Sequence, residues 1–389
     1  MVVEVVSFIL VVLFGSSSWM GTNSIWMQLP LLTSATFSIP FKIACIGPLV
    51  YGLVHKCCFR ISSGALIIGA LLLAVLCQSL MAVFWSWTGD SGNSIALYVL
   101  LFGLALVNST SNVLFMPFMA QFHPTLLTAY FVGMGLSSLV PSLLSLVQGT
   151  SNYECVLDDK EMKPVYSPPR FGVSVYLWII AAWTIMATAS FALLYWKDRQ
   201  EEARRRERGE KPTHRPSMAG HVFLLFLTAL VNAQMNGVIP SVHSYAALPY
   251  SQTVYHLGLT LSNIVSPLAS FLPMVLAPSS LPVLASLTGV SSLTTIFIVY
   301  LATLSPGLLV SNAVGGTLSV LSTMLAAGLH SFLRTLFASQ LRDAGGEHGE
   351  NWLFWCGVFI QIGSFIGSAV MFPLVNFAGV FHSAQLCQA

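Results

Sequence analysis

The stretch KDRQEEARRRERGEKPTHR, residues 197–215, carries thirteen of the chain's thirty charged residues, eight basic and five acidic. It lies midway along 389 residues, with long apolar segments on both sides. Over the whole chain 8% of residues are charged and 55% hydrophobic, and the mean hydropathy is +0.78. Soluble domains run near 25% charged, so a chain of this length has too little charge to cover a water-exposed surface. A polytopic membrane protein follows. In lipid, backbone polar groups must be satisfied within helices or closed barrels. The ten-residue alternation of a barrel is absent, so the fold class is all-α with many spans.

Segments of about 20 apolar residues suffice to cross a bilayer. Eleven are expected, at about 5–30, 39–55, 61–86, 94–119, 125–149 and 171–196 before the island, and 220–245, 253–276, 280–303, 308–333 and 351–374 after it. The first is too long for a signal peptide and is flanked by Glu4 where a signal peptide carries Lys or Arg. With the N-terminus cytoplasmic, the inner loops hold Lys56, Arg60, the eight basic residues of the island, Arg334 and Arg342. The outer loops hold Lys160, Lys163 and Arg170. That bias places the N-terminus and the island inside and the C-terminus outside. The chain divides into an N-terminal six-helix half (1–196), a charged cytoplasmic linker (197–219) and a C-terminal five-helix half (220–389). Within the linker, mixed charges suit a short helix over 201–208. Cys155 in the outer loop 150–170 and Cys387 share the oxidising side, so they either form a disulfide or stay free. Cys45, Cys77 and Cys356 fall in spans as small apolar filler. Cys57 and Cys58 stand at an inner membrane edge where palmitoylation is conceivable.

A 6+5 layout around a charged inner loop is the shape of carriers built from two repeated halves. Short internal matches agree with it. Asn23-Ser24-Ile25 precedes Leu29-Pro30 in the first span, and Asn236-Gly237-Val238 precedes Ile239-Pro240 in the seventh. Ser111-Asn112 in the fourth is mirrored by Ser311-Asn312 in the tenth. In helices, positions four and seven apart share a face. Trp19, Asn23 and Trp26 then form one stripe; Asn108, Asn112 and Phe115 a second; Asn232, Asn236 and His243 a third. Asn312, Ser319 and Thr323 form a fourth, beside Gly315 and Gly316. An amide in lipid is costly without a partner or a wet cavity. Amides beside aromatics on several inner helices suggest a pocket for a flat, polar, uncharged solute, held by stacking and hydrogen bonds. Each of these residues also fits a simpler role as a hydrogen-bonding tie between helices, or as part of an interfacial aromatic belt.

None of the fourteen carboxylates is central in a span, which disfavours ion coupling through an intramembrane acid. His243 and His256, near the outer ends of their spans, are the remaining candidates for pH sensitivity, with interfacial hydrogen bonding as the plainer reading. No metal motif, phosphate-binding loop or catalytic triad is present in the sequence, so an enzyme, a cofactor and a nucleic-acid partner are not expected. The island reads as a solvated linker with some attraction for anionic lipid. No Arg or Lys is expected at membrane depth, which argues against a phosphorylated solute.

Several runs resemble the eukaryotic riboflavin transporters, solute carrier family 52. They are Gly15 with Ser18-Trp19, Asn23-Ser24-Ile25-Trp26-Met27-Gln28-Leu29-Pro30, Ser111 to Phe118, Leu139-Val140-Pro141 to Gly149, and Glu154-Cys155. Later come Asn236 to Pro240, Leu248-Pro249-Tyr250, Tyr255-His256-Leu257, Ser266-Pro267-Leu268, Gln361 to Ser364, Met371-Phe372-Pro373 and Val380 to Ser383. The resemblance implies an eleven-span plasma-membrane carrier that takes up riboflavin without sodium, on a scaffold like the major facilitator and equilibrative nucleoside carriers. On the stripes of amides and aromatics read above, Trp19, Asn23, Trp26, Asn112, Phe115, Asn232 and Asn236 are the expected substrate contacts, together with Gln28 of the first span. Two departures stand out. The family commonly has Glu where Gln28 stands. It often has Cys where Ala247 stands, so a disulfide from that position to Cys387 is unavailable. A carrier for a nucleoside or nucleobase, and a receptor without transport, are the alternatives.

Overall fold

An uncharged apolar run in a bilayer has no partner for its backbone but itself, and this chain answers with helices. The computed structural model describes residues 5–32, 63–87, 95–149, 153–158, 161–166, 168–206, 218–345 and 349–384. The first half forms α1 (Val5–Ser16), α2 (Met20–Leu32), α3 (Ser63–Phe84), α4 (Ile95–Phe118), α5 (Pro124–Gln148) and α6 (Val173–Arg206). The second forms α7 (Met218–Ala233), α8 (Ile239–Ala247), α9 (Gln252–Phe271), α10 (Leu281–Thr303), α11 (Asn312–Gly345) and α12 (Gly349–Asn376). Among the described residues nine helical spans are long and apolar enough to cross a membrane, or ten with the bent pair α1–α2 taken as one. These stand where ten of the expected spans were placed. The remaining one, 39–55, lies outside the described residues, as do Cys45, Cys57, Cys58 and Cys387. The loop between α5 and α6 contains an antiparallel hairpin, β1 (Tyr153–Asp158) and β2 (Glu161–Tyr166), with Asp158 opposite Glu161. Helix α6 runs on into the island as far as Arg206.

Two spans are broken, and the breaks have local causes. α1 and α2 meet at 49°. Between them Ser16, Ser17 and Ser18 each turn a hydroxyl back to the carbonyl three residues earlier, on Leu13, Phe14 and Gly15. Such bonds compete with the helix ladder and bend it. α7 passes into α8 through a π-turn, Gln234–Val238. Pro240 follows, and with no N–H it cannot bond the carbonyl four residues back. The first and seventh spans, which share the Asn-and-Pro motif, are thus both interrupted helices.

Glycine sets the closest helix crossings. A Cβ on Gly15 of α1 would lie 2.3 Å from the Tyr130 carbonyl oxygen, and one on Gly133 of α5 2.1 Å from that of Val12. In the second half, Gly363 and Gly367 of α12 press on Ala229 and Ala233 of α7. Without a hydrophobic drive between helices in lipid, such small-residue contacts and van der Waals packing hold a bundle together. Phe14, Phe115, Tyr130 and Phe191 form a buried aromatic knot beside the first crossing.

The start of α1 shares one end of the bundle with the end of α6, where Lys197 Nζ donates to Ser7 Oγ at 3.1 Å. Contacts between the halves gather toward this island end. Phe8 stacks on Phe271 with ring centres 6.1 Å apart. α5 meets α9 where Gly135 lies against Pro267. α4 meets α12 where Gln361 Nε2 donates to the Ser109 carbonyl at 3.0 Å, and where Gly357 lies against the backbone of Asn112.

Candidate functional site

The amides of the first span are held by α5. Asn23 Nδ2 donates to the Ser137 carbonyl at 3.1 Å, with the Ser137 hydroxyl 3.4 Å away. Gln28 is fully buried and donates to Gln148 Oε1 at 2.7 Å. Gln148 passes its own Nε2 to the Phe171 carbonyl at 2.9 Å, so two amides tie α2, α5 and the entry to α6. Trp19, in the turn between α1 and α2, packs partly buried against the core. Trp26 is 52% exposed, on a different side of α2 from its buried neighbours. The first stripe therefore divides at the bend, with Trp19 packed, Asn23 bonded and Trp26 presented outward.

In the seventh span, Asn232 Nδ2 bonds back to the Thr228 carbonyl at 2.8 Å. Asn236 Nδ2 reaches Ser364 Oγ of α12 at 2.9 Å and Asn232 Oδ1 at 3.4 Å. The two asparagines thus form one short chain across α7 and α12. Gln234, between them, turns toward α10 and α11. It donates to Ser292 Oγ at 2.8 Å and accepts from the Thr295 hydroxyl at 3.1 Å, and it meets His330 Nε2 at 3.1 Å. Spacing along one helix gives no hint of this network, because its members come from three helices. His243 is buried beside Tyr255, ring centres 5.1 Å apart, and its Nε2 has no hydrogen-bond partner among the described residues. His256 Nε2 lies 2.8 Å from Gln252 Nε2. Of the fourth stripe, Ser319 donates to the Ala246 carbonyl, and Gly315 and Gly316 make room for Tyr250 and Val254. No hydrogen bond joins the α2 amides to those of α7 among the described residues.

At the seam between the halves, Asn112 is 1% exposed, and neither end of its amide has a partner among the described residues. Phe115 is buried in the aromatic knot instead of facing a solute. The same seam corrects one expectation from the sequence. Arg334 is not a loop cation: α11 continues to Gly345, and Arg334 lies inside it, 6% exposed. Its guanidinium carbon sits 5.4 Å from the centre of the Phe131 ring, near the buried Tyr130 and Cys356, and its Nε has no hydrogen-bond partner among the described residues. The tally of inner-loop charge keeps its sign without it. The argument that no cation lies at span depth does not hold, and the exclusion of a phosphorylated solute loses its premise. Cys77 and Cys356 are free and buried, as expected of apolar filler.

Buried amides stand on broken helices, the helices before and after the island meet at a seam, and among the described residues no acid lies at mid-span. Comparison with known proteins decides the family. The sequence profile described as solute carrier family 52, riboflavin transporter, matches residues 3–217 and 196–383. The chain is 47% identical to riboflavin transporter rft-2 of Caenorhabditis elegans, over 98% of both chains. It is 31% identical to the human riboflavin transporter member 3 of solute carrier family 52, over 97% of each. The chain belongs to solute carrier family 52, the riboflavin transporters. Its fold resembles that of solved major facilitator superfamily transporters. This family 52 chain superposes on the fucose transporter FucP, crystallised in an outward conformation, with a TM-score of 0.57 over 96% of the chain at 14% identity. A second structure, of the E. coli fucose:proton symporter FucP, gives 0.58. The two profile matches overlap over residues 196–217.

Proposed function

We propose that this protein carries riboflavin across the plasma membrane by facilitated, sodium-independent alternating access. The family assignment carries this reading, and the site chemistry suits it. Isoalloxazine is flat, with a pyrimidine-like edge that pairs with amides, and the ribityl chain needs hydroxyl partners. Trp19, Asn23 and Trp26 from the first span, with Asn232 and Asn236 from the seventh, would supply stacking and edge contacts. Asn112, whose amide ends have no partner among the described residues beneath α12, would join them once α4 and α12 part. Gln28 would act one step back, holding α2 against α5. Among the described spans, acids such as Asp343 and Glu350 stand only at helix ends, which favours transport without ion coupling through a mid-membrane carboxylate. The basic bias supports a cytoplasmic island, N-terminus in and C-terminus out.

The test is uptake of labelled riboflavin in a cell lacking its own carrier, with and without sodium. Saturable uptake, insensitive to sodium and blocked by lumiflavin but not by nucleosides, is the expected result. Asn23→Ala and Asn112→Ala should each raise KM severalfold. If both leave KM and maximal uptake unchanged, the substrate-site assignment fails even though transport stands.

A further inference from the structure

Arg342 lies in the last turn of α11 and reaches across the seam into the first half. Its Nε and one terminal nitrogen each come within 3.3 Å of the Ala120 carbonyl, and that same nitrogen donates to the Phe122 carbonyl. Its other terminal nitrogen meets Asp343 Oδ1 at 3.4 Å. Ala120 belongs to the 3-10 turn Met119–Gln121 that ends α4, and the backbone becomes extended at Phe122. The last carbonyls of a helix lack intrahelical donors and carry the negative end of its dipole. A guanidinium forks naturally over two such oxygens. Asp343 holds one arm of the fork, which aims the rest at α4.

We propose that Arg342 is the latch of the island-end gate, clasping the carbonyl end of α4 while the carrier is open on the opposite side and releasing it for discharge at the island end. The chemistry of the contact suits a reversible closure. Because the acceptors are neutral carbonyls, opening leaves no buried carboxylate unpaired, which is the costly outcome when an ion pair is broken in a dry interior. Asp343 stays with Arg342 throughout, and its side chain is 58% exposed, so the released pair is already at the water-facing edge. Arg334, about two turns deeper on α11, touches Phe131 across the same seam, so one helix supplies both basic contacts to the first half.

The inference rests on the transport reading for its place in a cycle, but its test does not require riboflavin to be the solute. Hydrogen exchange is measured on the purified full-length protein and on Arg342→Gln and Arg342→Lys. Loss of hydrogen bonds to a charged donor should speed amide exchange about tenfold or more over 119–126 and 338–345 in Arg342→Gln, with Arg342→Lys intermediate. Apparent KM for uptake from the side opposite the island should rise severalfold with a smaller change in maximal rate, because fewer carriers face that side. A merely structural role would lower the amount of folded carrier and leave KM alone. Exchange over both stretches identical to the parent overturns the latch; if Arg342→Gln does not accumulate, Arg342→Lys decides by the same comparison. Failure of the parent protein to transport riboflavin would remove the substrate assignment and leave the exchange result to judge the latch.

Discussion

Arg334 is the least expected single residue in the molecule. A guanidinium at 6% exposure, facing a phenyl ring and with no ion pair among the described residues, bears most of its desolvation cost uncompensated. Cation–π contact returns about 0.5–2 kcal/mol, less than the several kcal/mol that burying the ion costs. Replacing it with a flexible apolar side chain of similar length should therefore stabilise the protein. Arg334→Met is expected to raise the thermal midpoint, by an amount corresponding to about 1–4 kcal/mol, and to lower transport if the charge serves the seam's opening. A fall in midpoint would show that the guanidinium has a partner worth more than its dehydration. Hydropathy misplaces this residue because an apolar window ends at the first charge, whereas helix α11 continues past it to Gly345. The opposite error affects Phe115. It lies on a stripe with two asparagines, yet Phe14 of α1 packs against it, ring centres 5.1 Å apart, and closes it into the core.

At the scale of elements, the glycine crossings decide how closely helices approach, and they make sharp predictions. A Cβ at Gly367 would lie 2.3 Å from the Ala233 carbonyl oxygen, so α12 would have to move off α7. Gly367→Ala should cost about 1–3 kcal/mol, typical of overpacking, and should also strain the Asn236–Ser364 bond one turn away. Gly69, on the exposed side of α3, has nothing within 4 Å of its Cβ position. Gly69→Ala should be neutral or stabilising by about 0.5–1 kcal/mol. Thermal unfolding of the two variants side by side checks both, and equal effects would undo the packing argument. Hydropathy makes most of the described spans legible to within a few residues, because the cost of unpaired backbone in lipid leaves little choice of element; α11, which runs on to Gly345, is the exception. The breaks were half legible: Pro240 and the run 16–18 signal weak ladders, but a bend of 49° depends on the serine hydroxyls turning inward. The Gln28–Gln148 and Gln234–His330 bonds were not legible, since they join residues on different helices and depend on how those helices pack.

For the whole molecule, the question is what holds the two halves in register. Phe8 on Phe271, Gly135 on Pro267, Gly357 on Asn112, Gln361 on Ser109 and Arg342 on the end of α4 all join first-half helices to second-half helices directly. None of them involves the island, whose mixed charges suit a solvated tether. The chain cut within the island should therefore still assemble. Co-expressed pieces 1–209 and 210–389 are expected to co-purify and to restore a measurable share of the intact carrier's uptake, while neither piece transports alone. The tether raises the effective concentration of one half for the other, so the split form should be more sensitive than the intact chain to a weakened seam. Gly357→Leu tests this, since even a Cβ there would lie 2.0 Å from the Asn112 carbonyl oxygen. In the split carrier it should abolish co-purification. In the intact chain the same change should reduce uptake without preventing assembly. Pieces that fail to associate even without the substitution would mean that the island does more than connect, and that the register of the halves depends on it.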